Sequence, residues 1–173
     1  MTAAGSLWRP AYIGLGSNLD EPVAQIRRAF EALTTMQDCR FAICSSLYRS
    51  APMGPSDQPD FINAAAAFLT RRGPQDLLRE LKAIEDAHGR ERDTRHWGPR
   101  TLDLDLLVLG SLVVDEPGIR IPHPGVAERN FVLLPFAEIA PQAVVPGHGS
   151  VLKLLAGLGN SGARVERVES MKP

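Results

Sequence analysis

Cysteine is scarce in this chain. Cys39 and Cys44 are the only two, with no C-x-x-C and no accompanying His/Cys cluster, so no structural zinc site is expected. Both are expected to be buried or half-buried free thiols. Net charge is nearly absent, at −1, which removes the basic field that binds nucleic acid without sequence preference. No apolar run approaches the length of a membrane span. The opening MTAAGSLWRP lacks the basic-then-apolar pattern of a secretory signal, so the cytoplasm is the expected location. Internal repeats, low-complexity segments and the GxxxxGK[ST] phosphate loop are also missing.

What is present is an ordinary globular composition. With 173 residues, 44% hydrophobic and 23% charged, the chain is long enough for one domain with a full core and too apolar for disorder. One domain is expected over 1–173, with an irregular lead-in at 1–10 and a polar tail at 159–173.

Hydrophobic periodicity divides the chain into elements. A short strand is expected at 11–15, ending in a Gly14-Leu-Gly-Ser-Asn18 turn. A helix over 21–36 follows, capped by Asp20-Glu-Pro22, with Val23, Ile26, Phe30 and Leu33 on one face. Alternation around Phe41, Ile43 and Leu47 predicts one strand over 40–49. Three prolines and a glycine rule out regular structure in the loop up to Asp60, and ordered loops of this length tend to carry function. A strand at 61–70 and a helix opened by Pro74 and ended at Gly89 come next. The order β-α-β-β-α-β up to residue 109 predicts an α+β, ferredoxin-like fold: an antiparallel sheet with two helices on one face and the other face free for a ligand. Further on, a short strand is expected near 112–115, a fixed turn at Pro122-His123-Pro124, a helix over 127–139 interrupted by Pro135, and a small helix at 150–158.

One stretch carries most of the chemistry. Asp103 and Asp105 stand two residues apart within the run Leu102-Leu104-Leu106-Leu107-Val108-Leu109. On a strand they share a face, about 6–7 Å apart at roughly 3.3 Å per residue. Two acids on a greasy strand repel each other and lose hydration, so a positive partner is expected, either arginine or a divalent metal. Arg90, Arg92, Arg95 and Arg100 crowd the approach. Paired aspartates beside such arginines match the charge pattern of phosphoryl-transfer sites. Pro99 and Thr101 fix the direction of Arg100, which can then grip phosphate in a bidentate fork. Arg92 and Arg95 lie further out, as lid residues or plain surface charges.

Other residues allow plainer readings. Trp97 can anchor the arginine-rich loop, and Phe61 and Phe131 read as core aromatics. Asn63, a lone amide among apolar neighbours, needs hydrogen-bond partners if buried and suits the mixed edge of a flat heterocycle. His123 could be a metal ligand, a nucleotide contact or a turn filler, with a phosphate or base contact favoured. Gly14 and Gly16 lack the third glycine of a dinucleotide-binding turn.

Four motifs occur together: Gly16-Ser-Asn18; Gly54-Pro-x-Asp-Gln-Pro-Asp-Phe-x-Asn-Ala64; Arg95-x-Trp-Gly-Pro-Arg-Thr-Leu-Asp-Leu-Asp105; and Pro122-His123 with Arg129-x-Phe131. Over residues 12–146 the chain resembles the 6-hydroxymethyl-7,8-dihydropterin pyrophosphokinases of folate biosynthesis. The resemblance implies transfer of the β,γ-pyrophosphoryl group of MgATP to the hydroxymethyl group of the pterin, with release of AMP. It implies two Mg²⁺ ions on Asp103 and Asp105, and phosphate contacts from Arg90 and Arg100 as catalytic groups. Arg92 would close as part of a mobile loop, and Glu85, Trp97, His123 and Arg129 would complete the ATP site. Phe61 and Phe131 would sandwich the pterin, and Asn63 would bind its edge with help from Ser50 and Met53. Phe61 stands where family members often carry Tyr, which keeps the stack and drops a hydroxyl. The partners implied are small molecules alone, with no nucleic acid and no membrane, and the chain is expected to act as a free-standing monomer.

Two rivals remain to be compared. A nucleotidyltransferase would place its Gly-Ser element a short span before the aspartates, whereas Ser17 lies far upstream of Asp103. A non-catalytic RNA-binding module would need a glycine–aromatic strand motif, which is missing.

Overall fold

The computed structural model describes residues 7–89 and 97–171. Its centre is a six-stranded antiparallel sheet built from β1 (Arg9–Ser17), β2 (Cys39–Cys44), β3 (Leu47–Ser50), β4 (Phe61–Thr70), β5 (Asp103–Leu109) and β10 (Val165–Glu169). The strand order is β10-β3-β4-β1-β5, with β2 also paired to β4 beyond the end of β3. Two small hairpins, β6 (Val114–Glu116) with β7 (Ile119–Ile121) and β8 (Val144–Val145) with β9 (Gly149–Ser150), complete the strands. Helices pack on the sheet, which makes the fold α+β.

Each sheet face has its own core. On one, α1 (Pro22–Thr34) and α2 (Pro74–Ala87) lay Ile26, Leu33, Leu77 and Leu81 on Ile13, Leu15, Ala66 and Leu106. The alanines of β4 keep the sheet surface flat, so the helices can approach closely. On the other, α3 (Asn130–Ile139) and α4 (Val151–Leu158) bring Leu133, Phe136 and Val151 against Ala65, Leu107 and Val108. Tyr12 stacks on Phe136 there at 4.8 Å between ring centroids. The second face is therefore not bare, as the sequence had led us to expect. Helices cover it where the sheet is apolar, and it stays open only towards the Gly16 end of β1.

Several local expectations change. Gly14 and Gly16 lie within β1, not in a turn, because β1 extends to Ser17 and pairs on both sides. Neither Asp20 nor Glu21 caps α1 with its side chain; both have positive φ, and the Gln25 amide group donates to the Asp20 carbonyl at 3.0 Å. The strand expected over 40–49 is two, broken at Ser45-Ser46. There Ser45 N–H donates to the Ala65 carbonyl, and Ala65 N–H donates to Ser45 Oγ. Pro135 sits inside α3 without ending it, in the second turn, where its missing N–H deprives only the Phe131 carbonyl of a helical partner. The tail contains β10, which pairs with β3 at the sheet edge. Cys39 and Cys44 are half-buried free thiols, as expected. Among the described residues no helix is long and apolar enough to cross a membrane.

Candidate active site

The open part of the second face forms a cavity of about 250 Å³. Strand register explains its shape. Gly14 and Gly16 of the central strand lie opposite Asp105 and Asp103 of β5 on one side, and opposite Ala65 and Asn63 of β4 on the other. Opposed residues of an antiparallel pair share a face. With no side chain on either glycine, β1 becomes a low floor between an acidic wall and an amide-and-aromatic wall. A Cβ added to Gly16 would stand 3.6 Å from Asn63 Oδ1 and 3.9 Å from Phe61 Cδ1.

On the acidic wall, Arg100 Nη1 donates to Asp103 Oδ2 at 2.8 Å. The expected arginine partner for the pair is thus present, and among the described residues it bonds to Asp103. Asp105 is half-buried, with about a third of its side chain (36%) exposed. Burial first, and then the neighbouring Asp103 charge, pushes its pKa up to about 7, against the pull of Arg129 and Arg100. His123 Nε2 stands 3.8 Å from Asp105 Oδ1, while His123 Nδ1 accepts the Gly125 N–H at 3.0 Å. An accepting Nδ1 leaves the proton on Nε2, and burial, aided by the Arg129 charge, lowers the His123 pKa and keeps the ring neutral. His123 N–H also donates to the Leu107 carbonyl, which fixes the Pro-His-Pro turn beside β5.

The opposite wall combines a buried amide with aromatic side chains. Asn63 is buried, and its Nδ2 donates to Ser50 Oγ at 2.8 Å, leaving Oδ1 towards the Gly16 floor. Phe61, Phe131 and Met53 complete this side. Both phenylalanines line the cavity, which corrects their plain reading as core aromatics.

A hydrogen-bond clasp joins the two halves. Asn18, buried at the end of β1, exchanges two bonds with the Arg100 backbone: its N–H donates to the Arg100 carbonyl and its Oδ1 accepts the Arg100 N–H. Its Nδ2 donates to Gln58 Oε1 and to the Pro59 carbonyl, both at 3.0 Å. Gln58 Nε2 in turn donates to the Trp97 carbonyl. Trp97 holds a positive φ of 64° in this setting, with the Arg129 guanidinium 5.0 Å from its ring centroid.

Of the residues singled out from the sequence, Ser50, Met53, Phe61, Asn63 and Phe131 meet on one side of the cavity. Trp97, Arg100, Asp103, Asp105, His123 and Arg129 meet on the other. Glu85 does not line it. That residue is buried on α2, and its carboxylate accepts the Leu104 N–H of the edge strand β5 at 2.7 Å. Arg90, Arg92 and Arg95 lie outside the described residues. Sequence reasoning missed the cavity-floor role of Gly14 and Gly16 and the clasp made by Asn18 and Gln58. The only signal for them was that Asn18 and Gln58 fell inside the recurring motifs.

The sequence pattern of one family, described as 7,8-dihydro-6-hydroxymethylpterin-pyrophosphokinase (HPPK), matches residues 12–141. This chain belongs to that family. It is similar to the 2-amino-4-hydroxy-6-hydroxymethyldihydropteridine pyrophosphokinase of Pseudomonas aeruginosa, 47% identical over 145 residues, or 84% of this chain and 89% of the relative. The Methylorubrum extorquens protein of the same name is 43% identical over 159 residues, 92% of this chain and 98% of that one. Among solved structures, a triple mutant of Plasmodium falciparum HPPK-DHPS superposes with a TM-score of 0.71 at 14% identity, covering 90% of this chain. The wild type with pterin and p-hydroxybenzoate gives 0.68 at 14% identity and covers 95%. This chain spans only 45% and 47% of those two chains, and the likeness supports the fold alone.

Proposed function

We propose that the cavity is where this chain transfers pyrophosphate from ATP to 6-hydroxymethyl-7,8-dihydropterin, the reaction of its family in folate biosynthesis. The chain is an ATP-dependent diphosphotransferase. The observation that carries the site assignment is the pair Asp103 and Asp105 facing Asn63 and Phe61 across the Gly14–Gly16 floor. Phosphate chemistry and a flat heterocycle are thereby brought within one concavity.

Asn63 would read the pterin edge with its free Oδ1 while Ser50 fixes the amide's orientation, and Phe61 and Phe131 would hold the ring between them. This aims the hydroxymethyl oxygen at the acidic wall. That oxygen attacks the β-phosphorus of ATP and gives up its proton to solvent; the bond from the β-phosphorus to the α,β-bridging oxygen breaks, and AMP departs with that oxygen. Arg100, exchanging Asp103 for phosphate oxygens, would stabilise the charge that builds on the migrating group. Neutral His123 and Arg129 would hold the nucleotide's phosphates from the far side, and Trp97 would shape the wall behind them. Arg90 and Arg92 would add further phosphate contacts.

Asp103 and Asp105 fit Mg²⁺. They are hard oxygen donors on one face, and Asp105 is held in a state that favours neutralisation of its charge. Among the described residues no third His, Cys, Asp or Glu joins them, and water and phosphate oxygens would serve as further ligands. Two ions there would neutralise the triphosphate and orient the attacking hydroxyl.

The β1-α1-β2/β3-β4-α2-β5 order supports reading the core as ferredoxin-like. A monomer in the cytoplasm fits a site made wholly from one chain and free thiols that need a reducing compartment. A product assay tests the function. AMP and a pyrophosphorylated pterin support it; free pyrophosphate would indicate a nucleotidyltransferase, and ADP a simple kinase.

A further inference from the structure

The segment Ser161–Val165, between α4 and β10, lies beyond the residues 12–141 covered by the family pattern, and none of its residues lines the cavity. Ser161 N–H donates back to the Leu158 carbonyl of α4, but the segment's ties to α3, β3 and the loop before β4 end beside acceptor-side residues. Asn130 Nδ2 donates to the Ala163 carbonyl at 2.6 Å, and Asn130 directly precedes Phe131. Ala51 N–H donates to the Arg164 carbonyl at 3.3 Å, and Val165 pairs with Ser50. Arg164 Nη2 lies 3.7 Å from Asp60 Oδ2, immediately before Phe61.

The two backbone ties matter most, since the Arg164–Asp60 pair is solvent-exposed and worth little. The fit at Asn130 is close. Gly162 has a φ of 108°, and a Cβ there would meet Asn130 Cγ at 2.8 Å and Nδ2 at 2.9 Å. Asn130 Oδ1 is buried without a hydrogen-bond partner, so the amide is held by packing as well as by its single bond to Ala163. A side chain at Gly162 would strain the backbone at this φ and push the Asn130 amide off the Ala163 carbonyl.

We infer that Ser161–Val165 is a positioning element for the acceptor, a C-terminal brace that sets Phe131, Ser50 and Phe61 relative to one another. The inference rests on assigning those residues to the pterin. The brace touches neither Asp103, Asp105 nor Arg100, so its loss should weaken acceptor binding and leave ATP binding and the chemical step alone.

Steady-state kinetics with each substrate varied separately tests this. Gly162→Ala should raise KM for the hydroxymethyldihydropterin roughly tenfold, with kcat and the KM for MgATP within about twofold of wild type. Asn130→Ala should do the same without adding backbone strain. Gly159→Ala controls for strain in the same connection: φ there is 54° and ψ −125°, but the added Cβ would meet nothing. Its pterin KM should stay at the wild-type value. Phe131→Ala reports on the acceptor assignment itself. If Phe131→Ala raises the pterin KM while Gly162→Ala and Asn130→Ala leave it unchanged, the brace is refuted and the assignment stands. If Phe131→Ala also leaves it unchanged, the assignment fails and the brace fails with it. Equal increases in both KM values, or an equal effect from Gly159→Ala, would reduce the segment to general structural support and overturn the inference.

Discussion

Two carboxylates on the same side of the sheet have opposite circumstances. Glu138, on α3, accepts from the Ser46 N–H, from Ser46 Oγ at 2.8 Å and from the Tyr48 hydroxyl at 2.7 Å. Burial alone would raise its pKa, but the bonds from Tyr48 and Ser46, with Arg167 nearby, outweigh it and hold the pKa below the usual value. Tyr48 shows the reciprocal effect: burial and then the Glu138 charge push its pKa up to about 12. Among the described residues Asp105 has no such ring of donors. Burial and Asp103 push it the other way, against the pull of Arg129 and Arg100. A carboxylate supplied with fixed donors holds the fold together; one left without them is poised for a ligand that brings positive charge.

The contrast can be broken most severely at Asp105. Asp105→Ala should cost roughly a thousandfold in kcat, and its melting temperature should be no lower than wild type, since the carboxylate is a strained group in the free enzyme. Wild-type turnover in that variant would refute the role. Arg100→Ala should lower kcat about a hundredfold while changing the Kd for MgATP by less than about threefold. Rapid-quench measurement of AMP together with equilibrium nucleotide binding separates the two terms.

Glu138→Gln should show the opposite pattern, with kcat kept and the fold weakened by about 1–3 kcal/mol at pH 7. Its pH dependence follows from the sign of the shift. A lowered folded pKa supplies stability above the unfolded value, ordinarily 4.5, and loses it as pH falls through the folded value. Denaturation curves of wild type and variant should therefore draw together as pH falls from neutrality through the lowered folded value. The smallest effect is expected on the floor between the walls. Gly16→Ala places a methyl in ordinary contact with Asn63 and Phe61, so the protein should fold normally while KM for the pterin rises about threefold.

Legibility varied with how local each signal was. The acidic strand could be read because its aspartates interrupt a leucine run at a spacing of two, and strand geometry alone puts them on one face. The two phenylalanines could not be assigned from local pattern, since a residue lining a cavity and one filling a core have the same apolar neighbours in sequence. Gly14 and Gly16 read as a turn because glycine more often marks one; long-range pairing with β4 and β5 made them strand. The strand β10 was invisible in Val165-Glu-Arg-Val-Glu169, an exposed edge segment whose partner, β3, lies more than a hundred residues earlier. Glu85 was attached to the nucleotide site by resemblance alone; that its carboxylate accepts the Leu104 N–H of β5 depends on how α2 packs, which no local pattern shows.

The residue order alone was enough to establish the chemical inventory: paired acids, the arginine beside them, an amide that must be satisfied, and motifs shared with a family. Those follow from residue type and short-range spacing, which no fold can alter. Which acid would be left short of donors, which aromatic would face a cavity, and which distant segment would steady the acceptor wall depended on contacts across the whole chain. Burial and pairing are properties of the assembled sheet, and they turned an inventory of groups into two walls facing each other across a glycine floor.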